Sequence, residues 1–145
     1  MKHAFQSAIF AAGASLLAIS TPALAHGAEA NDPAVTVTQA FRNPLVNVPG
    51  KSLIAVEVVY PPGGGSPSHR HEKSAFIFAY VLSGEVISAV DDEAPRVYRA
   101  GESWKELPGA HHLVSRNASK TEPARLLAVF VADDGTTELT FPDPE

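Results

Sequence analysis

The sequence has no cysteine, few basic residues and no long stretch free of glycine and proline. Without cysteine, disulfides cannot stabilise the fold, so the chain must bury enough apolar surface by itself. Beyond position 25, the longest stretch without glycine or proline runs from Ser68 to Ser83, which leaves little room for the long helices of a bundle. The net charge of −5, with no basic stripe, gives no reason to expect nucleic acid as a partner.

The N-terminal 25 residues have the three parts of a secretory signal peptide. Lys2 precedes an apolar run from Ala8 to Ile19, and Ala23-Leu24-Ala25 places small residues where signal peptidase requires them. The run is about 12 residues, whereas a membrane-spanning helix needs roughly 20, so we expect cleavage before His26 and no stable membrane insertion afterwards. The sequence therefore predicts an exported protein, periplasmic or secreted, with three parts: a signal peptide (1–25), a flexible leader (26–33) and one domain (34–145).

The rest of the chain is a series of short apolar bursts separated by turn residues. Many alternate apolar with polar residues or are rich in β-branched and aromatic residues, as strands are. About eight strands at roughly ten-residue spacing predict an antiparallel all-β sandwich, barrel or jelly roll. Ser83-Gly84, between two bursts, predicts a tight hairpin there. The bursts are 34–40, 53–60, 75–82, 85–90, 96–99, 112–115, 125–131 and 136–141.

Histidines are the residues with the clearest potential for chemistry. His69 and His71 are two positions apart, so on a strand both imidazoles project from the same face and can reach one metal ion. His112 follows a turn and begins another predicted strand, from which it could supply a third ligand. His111 is adjacent to His112, and neighbouring strand residues point to opposite faces, so at most one of the two is expected to face the ion.

These histidines fall within two motifs that resemble those of the cupin superfamily. The similarity extends from Val35 to Val131, with Pro108 and Asn117 each displaced by one position from the family spacing. It implies a double-stranded β-helix, or jelly-roll barrel, that holds one divalent metal ion (Fe, Mn, Ni, Cu or Zn) on His69, His71 and His112. The matching positions are Gly63, His69, His71 and Gly84 in the first motif, and Gly101, Gly109 and His112 in the second.

The glutamate of the first family motif is missing, and its position is occupied by Ile77. Three neutral imidazoles leave the charge of a divalent ion uncompensated, so such a site should favour an anionic or chelating ligand. Whether Glu57, Glu72 or His111 approaches the metal is left open by the sequence.

Three residues are candidates for the substrate pocket. Ile77 occupies a position that the family places beside the metal, and Trp104 and Glu106 share one face of the segment leading to Pro108. Glu106 is also the candidate general base nearest to the histidines in sequence. The opposite face of the strand that carries Ile77 presents aromatic residues expected to pack on a sheet or to form a homodimer contact, namely Phe76, Phe78 and Tyr80.

The signal peptide, the resemblance and the charge of the three-histidine site together predict an exported metal-binding protein whose partner is a small anionic or chelating organic molecule. If it is an enzyme, a dioxygenase with a three-histidine metal site is the leading hypothesis, and an isomerase or lyase is a weaker one. The alternative from another class is a non-catalytic metal- or ligand-binding module of the cell envelope. The fold alone does not decide between them, because the same barrel hosts many reactions.

Overall fold

The computed structural model describes residues 32–144, in which the chain forms eleven β-strands and no helix. None of these residues therefore belongs to a helix that could cross a membrane. The predicted signal peptide and most of the predicted leader lie outside the described residues. The strands are β1 (Thr36–Pro44), β2 (Lys51–Tyr60), β3 (Gly65–Ser66), β4 (His69–His71), β5 (Phe76–Ser83), β6 (Glu85–Val90), β7 (Arg96–Arg99), β8 (Ser103–Glu106), β9 (His111–Asn117), β10 (Ala124–Asp133) and β11 (Thr140–Pro142).

The strands form two sheets, and all the paired strands within each sheet are antiparallel. The five-stranded sheet has the order β1-β2-β10-β5-β8. The six-stranded sheet has the order β11-β4-β9-β6-β7, with the short β3 also paired to β9. Neighbouring strands are mostly distant in sequence, as in a jelly-roll barrel. The predicted all-β fold is confirmed.

The hydrophobic core lies between the two sheets. Alternate residues of β2, β5 and β10 point inward and are buried, as their apolar alternation predicts. Val86 of β6 and Tyr98 of β7 join them from the six-stranded sheet. This core holds the strands that carry the histidines in a fixed register.

The hairpin predicted at Ser83-Gly84 is wrong. The strands on either side of Gly84 belong to different sheets and do not pair, so the chain passes from one sheet to the other at this residue. Gly84 has φ +73°, and an added Cβ would lie 2.7 Å from the carbonyl oxygen of Pro123. Glycine is therefore needed here both for the backbone conformation and for a close approach of two chain segments.

The outer face of the five-stranded sheet is apolar and partly exposed. Phe76 and Phe78 of β5 are 40% and 44% exposed, and the ring of Tyr80 stacks on Phe78 at a centroid distance of 6.2 Å. These rings point away from Ile77, which is 1% exposed on the inner face. Their predicted orientation agrees with the structure, and the homodimer expected from this face stays a prediction.

Candidate metal centre

The three predicted histidine ligands meet between the two sheets. His69 and His71 lie on β4, His112 lies on the neighbouring β9, and His69 and His112 are directly opposite in the antiparallel register. One ligand atom from each ring lies within 4.8 Å of the ligand atoms of the other two. His71 and His112 are buried and His69 is partly buried. The i, i+2 spacing on one strand and the cross-strand pairing together produce the cluster.

Backbone carbonyls fix the tautomers of the two β4 histidines. Nδ1 of His69 donates to the carbonyl oxygen of Pro67 at 2.8 Å, and Nδ1 of His71 donates to that of Leu139 at 3.3 Å. A carbonyl oxygen only accepts, so the proton of each neutral ring is on Nδ1 and the lone pair is on Nε2. Such outer hydrogen bonds are what metal-ligating histidines ordinarily make.

The ring of His112 is held differently. Its Nε2 lies 2.9 Å from the hydroxyl of Ser88 on β6, and its Nδ1 faces Glu106 at 3.5 Å. The ring is 4% exposed. The Ser88 contact fixes the ring orientation and leaves Nδ1 as the nitrogen directed toward the other groups of the site.

A buried carboxylate from the other sheet lies beside two of the three histidines. Glu106 of β8 is 2% exposed, and its Oε2 lies 2.9 Å from Nε2 of His71. Its Oε1 accepts a hydrogen bond from the indole N–H of Trp104 at 2.9 Å. The three-histidine group predicted from the sequence is present, and the structure adds a carboxylate beside it that the sequence assigned to the pocket and not to the metal. Glu106 is directly opposite Ile77 in the β5–β8 register, so a carboxylate lies one strand away from the position where the family motif has one.

The contact between His71 and Glu106 fits a metal ion. Within residues 32–144, His71 Nε2 and Glu106 Oε2 are buried side-chain atoms that make no hydrogen bond. In the tautomer set by Leu139, both atoms present lone pairs, so their approach to 2.9 Å requires a positive charge, which is either a proton on His71 Nε2 or a bound metal ion. Two adjacent ligands at about 2.1 Å from one metal ion are themselves about 3 Å apart. The donor set of imidazoles and one carboxylate therefore suits a divalent transition metal.

The protonation states favour metal binding at neutral pH. Burial lowers the pKa of His112 to about 4, and it also lowers the pKa of His69. Burial alone would raise the pKa of Glu106, but the close approach of His71, with His112 and the Trp104 N–H, outweighs it and lowers that pKa to about 2. Neutral imidazoles and an ionised carboxylate are the forms that bind metals.

A cavity of about 350 Å³ adjoins the cluster between the sheets. The cavity is lined by the three histidines, Glu106 and Ile77. Glu106 and Ile77 are two of the three residues that the sequence assigned to the substrate pocket. Trp104, the third, is not among the lining residues within the described range. It lies behind Glu106 and orients it through the indole N–H.

The residues left open by the sequence do not join the cluster. His111 points outward, where its Nε2 lies 2.8 Å from Asp143 and 3.1 Å from the Ser68 hydroxyl. Glu57 accepts a hydrogen bond from Arg125 on the outer face of the five-stranded sheet. Glu72 accepts one from the backbone N–H of its near neighbour in the turn after β4, Ser74.

Comparison with known proteins agrees with this architecture. The family model described as "Cupin domain" matches residues 56–130. No curated protein sequence matches the chain significantly. One similar solved structure is the TT1209 protein from Thermus thermophilus, with 23% identity and a TM-score of 0.55 over 68% of this chain and 83% of that one.

Two other similar structures are named for reactions. Oxalate oxidase in complex with the substrate analogue glycolate has 26% identity and a TM-score of 0.55, covering 70% of this chain and 53% of that one. The DMSP lyase DddQ from Ruegeria pomeroyi has 28% identity and a TM-score of 0.53, covering 64% of this chain and 45% of that one. This chain thus spans about half the length of each. The match of the cupin model to more than half of the residues, on a two-sheet barrel of the expected topology, shows that the chain belongs to the cupin family.

Proposed function

We propose that this cupin binds one divalent transition metal on His69, His71, His112 and Glu106, and that the metal holds a small chelating organic ligand in the adjoining cavity. The observation that carries the proposal is the buried contact of His71 Nε2 with Glu106 Oε2 at 2.9 Å, beside the other two imidazoles. This contact needs a positive charge, and one bound cation supplies it to both atoms and to the other two imidazoles.

The charge of the site defines the class of ligand. Glu106 supplies one negative charge and the histidines supply none, so a divalent ion leaves the centre with one uncompensated positive charge. One monoanionic chelating group neutralises it. This is a narrower expectation than the general preference for anions that three imidazoles alone would give.

The similar structures support a small organic ligand without fixing the reaction. The oxalate oxidase is in complex with glycolate, a small hydroxy acid, whereas DddQ is a lyase. A shared barrel does not determine the chemistry. Among reactions, dioxygenase chemistry remains the leading proposal, because the imidazole-rich donor set accepts redox metals such as iron.

The chain's own residues would do the following in such a reaction. His69, His71, His112 and Glu106 would hold the metal, which when bound supplies Lewis acidity or redox capacity. Glu106, ionised and held by Trp104, would offset one unit of the ion's positive charge, and its lowered pKa makes it a weak base. The apolar cavity wall would limit the contact of the ligand with water.

Glycolate is a direct probe of this proposal. Calorimetric titration of glycolate into protein loaded with Fe²⁺ under anaerobic conditions should show binding, and titration into protein treated with a chelator should show none. Oxygen uptake with a bound organic acid would then assign dioxygenase or oxidase chemistry. Metal loading without any effect on ligand binding would contradict the proposal, and a metal- and ligand-binding protein inert to oxygen would favour the non-catalytic module.

Export is part of the proposal and rests on the sequence alone. Mature protein recovered from the periplasmic or extracellular fraction should begin at His26 when sequenced from its N-terminus. Recovery of chains that still carry residues 1–25 would contradict cleavage.

A further inference from the structure

The cavity has a second polar position, on β2 and β9, where Ser115 lies three residues beyond His112, roughly 10 Å along the strand. Tyr60 at the end of β2 and Ser115 on β9 both line the cavity, and they are 1% and 3% exposed. The Tyr60 hydroxyl and Ser115 Oγ are 2.7 Å apart and hydrogen-bond each other. Neither residue has a role in holding the metal.

This hydroxyl pair has one proton donor more than it uses. Each hydroxyl carries one O–H, and the bond between them occupies only one of the two. Within residues 32–144, neither side-chain oxygen makes another hydrogen bond. Because burial raises the pKa of Tyr60 to about 12, the phenol stays protonated at neutral pH. One buried O–H is therefore left without an acceptor, which is unfavourable unless something in the cavity accepts it.

The walls of the cavity are mostly apolar. Strands β2 and β10 contribute aliphatic and aromatic side chains, and no lysine or arginine is among the described lining residues. A second carboxylate on the ligand would therefore find no cation to pair with there. The wall favours an apolar ligand body and a neutral acceptor at the Tyr60 and Ser115 position. The apolar contributors from these two strands are Val56, Val58, Leu126, Ala128 and Phe130.

The volume also limits the ligand. A cavity of about 350 Å³ has room for on the order of ten water-sized groups, at roughly 30 Å³ each. Glycolate is much smaller than this and would leave most of the apolar wall without contacts. The cavity therefore suits a longer ligand than the one in the similar oxalate oxidase.

We infer that Tyr60 and Ser115 form a hydrogen-bonding subsite for a ligand of roughly ten or more non-hydrogen atoms. Such a ligand has a monoanionic chelating head, an apolar body and a neutral hydrogen-bond acceptor at its far end. This inference rests on the proposed function, because the head is placed by the metal. An aryl 2-oxo acid with a ring hydroxyl has these three parts.

Two commercially available acids that differ only at the far end test the inference. 4-Hydroxyphenylpyruvate has the ring hydroxyl and phenylpyruvate lacks it, while both have the same 2-oxo acid head. Calorimetric titration of Zn²⁺-loaded protein should show the hydroxylated acid binding about three- to tenfold more tightly, the worth of one hydrogen bond. The double variant Tyr60→Phe, Ser115→Ala should abolish this preference without weakening phenylpyruvate binding or Zn²⁺ binding, whereas each single variant still has one unused O–H and should keep part of the preference.

The control variant is Tyr80→Phe, which removes a phenol from the outer face of the five-stranded sheet and should keep the full preference. Equal affinity for the two acids in the unaltered protein, or a full preference that survives in the double variant, would overturn the inference. If glycolate binds in a metal-dependent way and neither aryl acid does, the subsite is wrong and the proposed function stands. If no Zn²⁺ binds at all, the proposed function itself fails.

Discussion

The carboxylate of the metal centre should be transferable from one strand to its neighbour. Ile77 and Glu106 are opposite each other in the β5–β8 register, both are buried, and both line the cavity. The Cβ atoms of such pairs lie about 5 Å apart on the same face. We therefore expect Glu106→Ile to weaken metal binding and the double variant Ile77→Glu, Glu106→Ile to restore much of it.

The size of the effect follows from the contacts of Glu106. Its carboxylate lies 2.9 Å from His71 Nε2, and loss of a group in such contact with a metal site costs at least roughly 10- to 100-fold in affinity. A loss of about 100-fold corresponds to about 2.7 kcal/mol. At saturating metal, Glu106→Ile therefore gains about 2.7 kcal/mol less folding stability from the metal than the unaltered protein does. The rise in Tm on adding metal should then be smaller by roughly 10 °C.

The assay is chelator competition with Zn²⁺, together with thermal unfolding with and without metal. The swapped protein should recover to within about tenfold of the original affinity. Phe78→Glu, a glutamate on the same strand but on the outer face, is the control and should leave affinity unchanged. The reasoning would be refuted if Glu106→Ile bound metal normally, or if the swapped protein folded and bound no better than Glu106→Ile.

Three further predictions concern stability and the support of the carboxylate. Gly84→Ala should destabilise the fold by about 3 kcal/mol or more in urea unfolding, because the positive φ is compounded by the clash with Pro123. Gly50 has φ +79° with no atom within 4 Å of an added Cβ, so Gly50→Ala should cost only about 1–2 kcal/mol. Equal losses of stability in the two variants would contradict the close approach at Gly84. Trp104→Phe should cost about 1–3 kcal/mol in the presence of a chelator, because it removes the N–H that donates to Glu106. The same variant should bind Zn²⁺ about tenfold less tightly, and unchanged affinity would show that the indole does not orient the carboxylate.

The sequence was sufficient to predict the fold class and the histidine cluster. Both depend on local patterns, namely apolar alternation along strands and the i, i+2 spacing of His69 and His71. Strand parity also indicates that at most one of His111 and His112 faces the ion, and in the structure His111 is the one that points outward. Such features need no knowledge of which strands are neighbours.

The site carboxylate could not be found in this way, because it depends on strand pairing. Glu106 reaches the histidines only because β8 lies beside β5 in the other sheet, and nothing local to Glu106 encodes that neighbour. Its shared face with Trp104 was the available signal, but the sequence does not indicate whether that face is the inner one. The prediction of a hairpin at Gly84 was wrong for the same reason, because a glycine with positive φ is found both in hairpin turns and where the chain passes from one sheet to the other.

Metal stoichiometry in a pair of adjacent histidine variants tests the central claim most directly. His112 lies in the cluster and His111 points outward to Asp143. After loading with Zn²⁺ and removal of excess ion, elemental analysis should give one ion per chain for the unaltered protein and for His111→Ala, and far less than one for His112→Ala. A full complement of zinc in His112→Ala, or none in the unaltered protein, would contradict the metal centre described above.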